Sequence, residues 1–310
     1  MPALQSRRPG GFRIGLVFLL GYLALYAVLL ACMVREGFNP AEPLFVLVVL
    51  GGLFSLLALG LTRGIGLAPM EVRAPVKESI ALVGWLLVIV AFLLWGLPVL
   101  QHVSGVSGVL AIMTGKLVVF AVGPALLWGV AWQYPASYWT KAGASLRRCL
   151  PALLGMSAVL VAFQLVFGSG GKTVRTLAPH QLALGIPLAF VWLFFEVGIV
   201  EEFFFRALLQ SRLTALVRSE LAGIVLMALL FGLAHAPGLY FRPQITQEAI
   251  GHAPTPLFAI GYSVVIVSTT GFFLGVLWSR TRNLGVLAAV HAAGDLIPNL
   301  AGFLHDVHLH

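Results

Sequence analysis

The chain has 310 residues, of which 60% are apolar and 10% charged, against about 45–50% and about 25% in an average soluble domain. This composition excludes an ordinary soluble fold, because 19 basic and 11 acidic side chains cannot cover the surface of a soluble protein of this length. The net charge of +8 does not indicate nucleic-acid binding, since the basic residues stand singly between apolar runs and form no patch. The solvent of this chain is therefore mostly lipid.

Apolar runs recur along the chain with the length of about 20 helical residues that crosses roughly 30 Å of hydrocarbon. A β-barrel is excluded because segments such as 80–100 are apolar on every face, whereas barrel strands alternate. The sequence predicts an all-α polytopic transmembrane bundle of nine spans, or eight if one is re-entrant. The predicted spans are 14–34, 43–62, 79–100, 116–132, 149–168, 182–211, 221–236, 257–279 and 284–304.

The distribution of basic residues between the predicted loops indicates the orientation. A cytoplasmic N-terminus satisfies the positive-inside rule, because the loops on that side then hold Arg7, Arg8, Arg13, Arg63, Arg73, Lys77, Lys141, Arg147, Arg148, Arg212, Arg218, Arg280 and Arg282. The opposite side holds Arg35, Lys116, Lys172, Arg175 and Arg242. We expect an integral protein of a bacterial inner membrane with its N-terminus in the cytoplasm.

Ionisable side chains inside the predicted spans carry most of the functional information. Each costs about 2.5–3.5 kcal/mol or more at the centre of the bilayer and must face a partner or water. The sequence concentrates them near its C-terminal end, at Glu196, Glu201, Glu202, Arg206, His235, His291 and Asp295. We therefore assign the chemistry to residues 181–310 and treat residues 1–180 as N-terminal helices of unassigned role.

Helical spacing brings these groups to similar depths in the membrane. Glu201 and His235 lie 17 positions before and after Arg218, where the sixth and seventh spans turn, so both return to the same level. On the last span, His291 and Asp295 lie about 14 and 20 Å beyond the preceding turn at 1.5 Å per residue. Their i, i+4 spacing places both on one face of the helix.

Three short motifs occur in order on these spans. Residues 201–206 read EExxxR, residues 231–235 read FxxxH, and residues 291–295 read HxxxN with aspartate in the last place. This ordered set resembles the CAAX-protease and bacteriocin-processing family of intramembrane proteases, which includes the eukaryotic Ras-converting endopeptidase. The resemblance covers about residues 180–305. Glu196 belongs to none of the motifs, and we expect a structural role for it, either paired with a partner or facing the cavity.

The resemblance implies a role for each motif residue. In the family, the first glutamate and the two histidines bind and activate water for peptide hydrolysis. Carried over, Glu201 is the general base, and His235 and His291 orient the water or stabilise the oxyanion. Glu202 and Arg206 are four residues apart and can form a supporting ion pair, while Glu201 points about 100° away from Glu202.

Two questions stay open at the level of sequence. The family motif usually ends in asparagine, so Asp295 either is protonated and donates to the oxyanion or accepts a hydrogen bond that fixes the tautomer of His291. The second question is the metal. Glu201, His235 and His291 are a workable zinc set, although the chain has no HExxH motif and the three residues come from separate helices. The sequence does not require a cofactor, and zinc is the candidate if one is used.

We predict an intramembrane endopeptidase that acts on a peptide or a lipidated protein at the cytoplasmic side of the bilayer, with no nucleic acid among its partners. One alternative is a non-catalytic family member that serves as an immunity or scaffold protein. Another is a proton-coupled transporter that uses the same acidic residues as a relay. The sequence does not distinguish between prenylated proteins, peptide precursors and membrane-protein tails as substrates.

Overall fold

The computed structural model of the chain describes residues 9–67, 70, 72–103, 105–134, 143–168, 170–241 and 252–309. Over these ranges the secondary structure is helical, without a strand. Among the described residues, nine helices are long and apolar enough to cross a membrane: α1 (Gly10–Arg35), α2 (Ala41–Leu61), α3 (Pro75–Gln101), α4 (Gly105–Ala131), α5 (Leu146–Phe167), α6 (Pro179–Val217), α7 (Glu220–Phe241), α8 (Pro256–Thr281) and α9 (Leu284–Asp306). The predicted all-α bundle of nine spans is confirmed.

Two basic residues lie elsewhere than predicted. Lys116 was expected at the outer end of the fourth span, as its first residue, but α4 begins at Gly105, so Lys116 lies in the interior of a span. Arg212 was expected at the membrane boundary, but α6 continues to Val217 and Arg212 is fully buried. Among the other basic residues used to predict the orientation, four lie outside the described residues: Arg7, Arg8, Lys141 and Arg242.

The helices group into two compact units. Unit 1 comprises Met1–Leu56, Met70–Leu86 and Leu208–Ser279, and unit 2 comprises Leu57–Pro69, Leu87–Ala207 and Arg280–His310. Each unit contains segments from before and after residue 181. Helix α6 contributes to both: its residues up to Ala207 belong to unit 2, and those from Leu208 onward belong to unit 1. The predicted division into residues 1–180 and 181–310 stays a prediction.

In unit 1, α1 packs against α7 and the first half of α8. The core of this packing is aromatic and aliphatic and contains Tyr22, Tyr26, Met33, Val225, Phe258, Tyr262 and Val265. The Tyr22 hydroxyl lies 2.9 Å from the Ser268 hydroxyl. The Arg212 guanidinium donates to Glu78 over 3.0 Å, with both side chains fully buried. This pair satisfies two charges that would otherwise be buried alone.

In unit 2, α9 packs against α5 and the first part of α6. The core contains Ala189, Leu193, Ala292, Leu296, Leu300 and Phe303. Close approach of α6 to α9 depends on Gly198, because a Cβ added there would lie 2.5 Å from the Ala288 carbonyl oxygen. The Asn283 side chain caps α9 by accepting from the backbone N–H of Val286. The small residue thus lets α6 and α9 pack closely, and the cap stabilises the start of α9.

Candidate active site

Glu201 and Glu202 lie where α6 departs from regular α-helical geometry. The helix is π-helical over Phe194–Ile199 and again over Glu202–Gln210. Such wide turns shift side chains from the 3.6-residue pattern and occur frequently at functional sites. Glu202 is fully buried, whereas Glu201 is partly exposed. The two adjacent carboxylates therefore have different surroundings, and Glu201 is the more accessible one.

A buried network joins Glu202, Arg206 and His291 in unit 2. Arg206 Nη1 donates to Glu202 Oε1 over 2.8 Å, with both side chains fully buried. His291 Nδ1 lies 2.6 Å from the same oxygen. The Glu202–Arg206 pair predicted from the i, i+4 spacing is confirmed. The contact between Glu202 and His291 was not predicted, because the two residues lie on different helices and are 89 positions apart in sequence.

The network assigns the two nitrogens of His291 to different partners. An ionised carboxylate only accepts hydrogen bonds, so Nδ1 donates to Glu202. Nε2 faces Asp295, with 3.5 Å between Nε2 and Oδ2, and the Asp295 side chain is 36% exposed. Glu202 therefore orients the ring of His291 through Nδ1, whereas sequence reasoning had considered Asp295 as the acceptor. The predicted common face of His291 and Asp295 is confirmed.

Glu196 also has a charged partner, as expected for a carboxylate inside a span. Lys116 on α4 forms an ion pair with Glu196, and the two side chains are 15% and 6% exposed. The pair lies near the network, because the segment of α4 that ends at Lys116 packs against α9 as well as against α6. Sequence reasoning missed Lys116 because it placed this residue at the outer end of the fourth span.

His235 belongs to unit 1 and lies in the second half of α7. Its Nδ1 is 2.7 Å from the carbonyl oxygen of Phe231, one turn earlier in the same helix. Because a carbonyl only accepts, Nδ1 is the donor and Nε2 is left for other partners. The ring is half-buried and its centroid lies 4.8 Å from that of Phe231. The motif FxxxH thus holds the imidazole in a defined orientation on its own helix.

Residues 183–297 match a protein-family model described as type II CAAX prenyl endopeptidase Rce1-like, which confirms the resemblance seen in the three motifs. The matched segment contains Glu201, Glu202, Arg206, His235, His291 and Asp295, and it also contains Glu196 but not Lys116. No curated protein and no solved structure matches the chain.

The geometry of His291 suits a metal ligand as well as proton chemistry. A hydrogen bond from one ring nitrogen to a carboxylate is the usual arrangement of a metal-bound imidazole, and Nε2 is the nitrogen left to bind. Within the part of the chain that the structure describes, no three or more His, Cys, Asp or Glu side chains are grouped to hold a metal ion. The zinc set of Glu201, His235 and His291 stays a prediction.

Proposed function

We propose that this protein is an intramembrane endopeptidase that hydrolyses a peptide bond of a peptide or lipidated protein near the cytoplasmic side of the membrane. The match of residues 183–297 to an Rce1-like endopeptidase supports this class of reaction. The observation that carries the proposal is that His291 lies between Glu202 and Asp295, in the unit that also contains Glu201. A histidine oriented by a carboxylate beside a second, accessible carboxylate is suited to acid–base catalysis.

Glu201 is the general base of the proposed reaction. Its carboxylate takes a proton from water while the water oxygen bonds to the scissile carbonyl carbon, which gives a tetrahedral oxyanion. Collapse of this intermediate breaks the carbon–nitrogen bond, and the proton held by Glu201 passes to the leaving amine. Its partial exposure lets water reach Glu201, whereas Glu202 is enclosed.

His291 stabilises the oxyanion through Nε2. With Nδ1 donating to Glu202, an imidazolium presents its second N–H toward the reaction centre. Arg206 compensates the charge of Glu202 on the same oxygen that His291 contacts. A histidine oriented and stabilised by a buried carboxylate is the arrangement found in hydrolase triads.

Asp295 and His235 complete the proposed set. Asp295 lies beside Nε2 of His291, and in its protonated form it supplies a further hydrogen-bond donor for the oxyanion. His235 leaves Nε2 available to orient water or to donate, because Nδ1 is engaged by its own helix. Both roles follow the family resemblance.

The test is a cleavage assay on purified protein in lipid nanodiscs. Fluorogenic peptides ending in a CaaX sequence, with and without a prenyl group on the cysteine, are incubated with wild type and with Glu201→Ala, and products are identified by mass spectrometry. We expect cleavage at one bond by wild type and none by the variant. Equal cleavage by both proteins indicates a contaminating protease and removes the support for Glu201.

The same purified protein, in nanodiscs for cleavage and reconstituted into vesicles for transport, addresses the two alternative functions. A well-folded wild type that cleaves none of the peptides favours the non-catalytic scaffold. Proton uptake into vesicles that depends on Glu201 or Asp295, without peptide cleavage, favours the transporter.

A further inference from the structure

One intramembrane ion pair lies outside the three motifs. Lys116 lies eleven residues after the start of α4, well inside the span, and it pairs with Glu196 of α6. A charged side chain at this depth is costly and is usually kept for a function. Because Lys116 lies outside residues 183–297, the resemblance does not account for it.

The pair borders the candidate active site within unit 2. The segment Gly105–Lys116 packs against both α9 and the π-helical turn Phe194–Ile199. Glu196 precedes Glu201 by five residues, or about 7 Å along the helix. The Lys116–Glu196 ion pair therefore lies where α4, α6 and α9 pack together, beside the residues proposed for catalysis.

Three contacts set the rotation of α6 around Glu201. Lys116 holds Glu196, the Ala288 carbonyl lies against Gly198, and His291 holds Glu202. Residues 196–202 span less than two helical turns, so contacts at both ends determine where Glu201 points. Loss of Lys116 would free one end and leave the carboxylate of Glu196 uncompensated near two other acids, which repel it.

We propose that Lys116 is a positioning residue of the active site: by holding and neutralising Glu196, it keeps α6 in the rotation that presents Glu201. This inference rests on the proposed peptidase function. It gives α4, in the N-terminal part of the chain, a defined contribution to catalysis.

The first test compares kcat and KM of four variants under the conditions of the cleavage assay. Lys116→Met should lower kcat about 10–100-fold with KM within about twofold, because a small misplacement of a catalytic group has effects of this size. Lys116→Arg should retain most of the activity. Lys116→Met combined with Glu196→Gln should recover at least about fivefold over Lys116→Met, because no charge is left unpaired. Lys172→Met, which changes an exposed lysine of the short helix Gly170–Val174, is the matched control.

Two kinetic outcomes overturn the inference. If the Glu196→Gln change brings no recovery, Lys116 does not act through Glu196. If kcat falls only in proportion to the folded fraction, measured by thermal unfolding of each preparation, the pair contributes to stability alone.

A second test needs no catalysis and therefore separates this inference from the proposed function. In a background with Cys32→Ala and Cys149→Ala, the variant Glu201→Cys carries one thiol at the site. We expect Lys116→Met to change the rate of its alkylation by N-ethylmaleimide at least about threefold, and Lys172→Met to leave it unchanged. Equal rates overturn the inference even if wild type cleaves peptides, and changed rates support it even if wild type does not.

Discussion

The substitution Arg206→Ala tests whether the buried network of Glu202, Arg206 and His291 stabilises the fold. Arg206 and Glu202 are both fully buried and their charges meet over 2.8 Å. Removal of the guanidinium leaves the Glu202 carboxylate in a low-dielectric interior with His291 as its remaining ionisable contact in the network. Breaking a buried pair in this way costs about 3–5 kcal/mol, a large share of the roughly 5–15 kcal/mol that stabilises a typical protein. We therefore expect Arg206→Ala to be strongly destabilised.

The free energy of unfolding can be measured in mixed micelles by titration with denaturing detergent. Arg148→Ala, at an exposed position of α5, is the control and should stay within about 0.5 kcal/mol of wild type. Arg206→Ala combined with Glu202→Gln should be less destabilised than Arg206→Ala alone, since no unpaired charge is left. If Arg206→Ala unfolds like wild type while its activity disappears, Arg206 acts on the substrate or in catalysis and the reasoning is refuted.

Three further predictions concern the site. Asp295→Asn should preserve or raise peptidase activity, most of all at alkaline pH, because a protonated carboxyl donor is lost as pH rises whereas an amide donor is not; a large loss at every pH contradicts the donor role. Gly198→Ala should lower the free energy of unfolding by about 1–3 kcal/mol and should lower kcat, because the added methyl group would lie 2.5 Å from the Ala288 carbonyl oxygen. Gly129→Ala should change neither quantity, because there is open space around Gly129. Equal behaviour of the two variants would show that α6 and α9 are not in close contact. Prolonged treatment with a strong chelator should leave the rate unchanged if water is activated by glutamate, and a loss of activity restored by zinc would establish the metal-dependent alternative.

Hydropathy alone predicted the number of spans, because a run of about 20 apolar residues is characteristic of a transmembrane helix. The start of α4 was misplaced by eleven residues. The segment 105–115 contains five glycine, serine or threonine residues among its eleven, and in a sequence this composition is typical of loops. Inside a membrane such residues still form helices, because no water is present there to hydrogen-bond the backbone in another conformation. The interior position of Lys116, and with it the ion pair to Glu196, could not be predicted from local composition.

The candidate site was predictable only where its contacts are local in sequence. The i, i+4 rule predicted the Glu202–Arg206 pair and the common face of His291 and Asp295, and both are present. The Glu202–His291 contact depends on the rotation of two separate helices, and α6 is π-helical over Glu202–Gln210. A periodicity of 3.6 residues does not describe such a segment. Depth along the helix could be estimated from sequence, but direction across the bundle could not.

The central claim is that Glu201, and not its buried neighbour, activates the water. The most direct measurement is the single-turnover rate of Glu201→Gln on a cleaved peptide, beside wild type and beside Glu220→Gln at the exposed start of α7. Glutamine keeps the shape of glutamate but cannot accept the proton, so we predict a rate lower by at least about 10²–10⁴-fold, with an unfolding midpoint close to wild type. The control should cleave at the wild-type rate. Wild-type turnover by the purified Glu201→Gln protein would contradict the account.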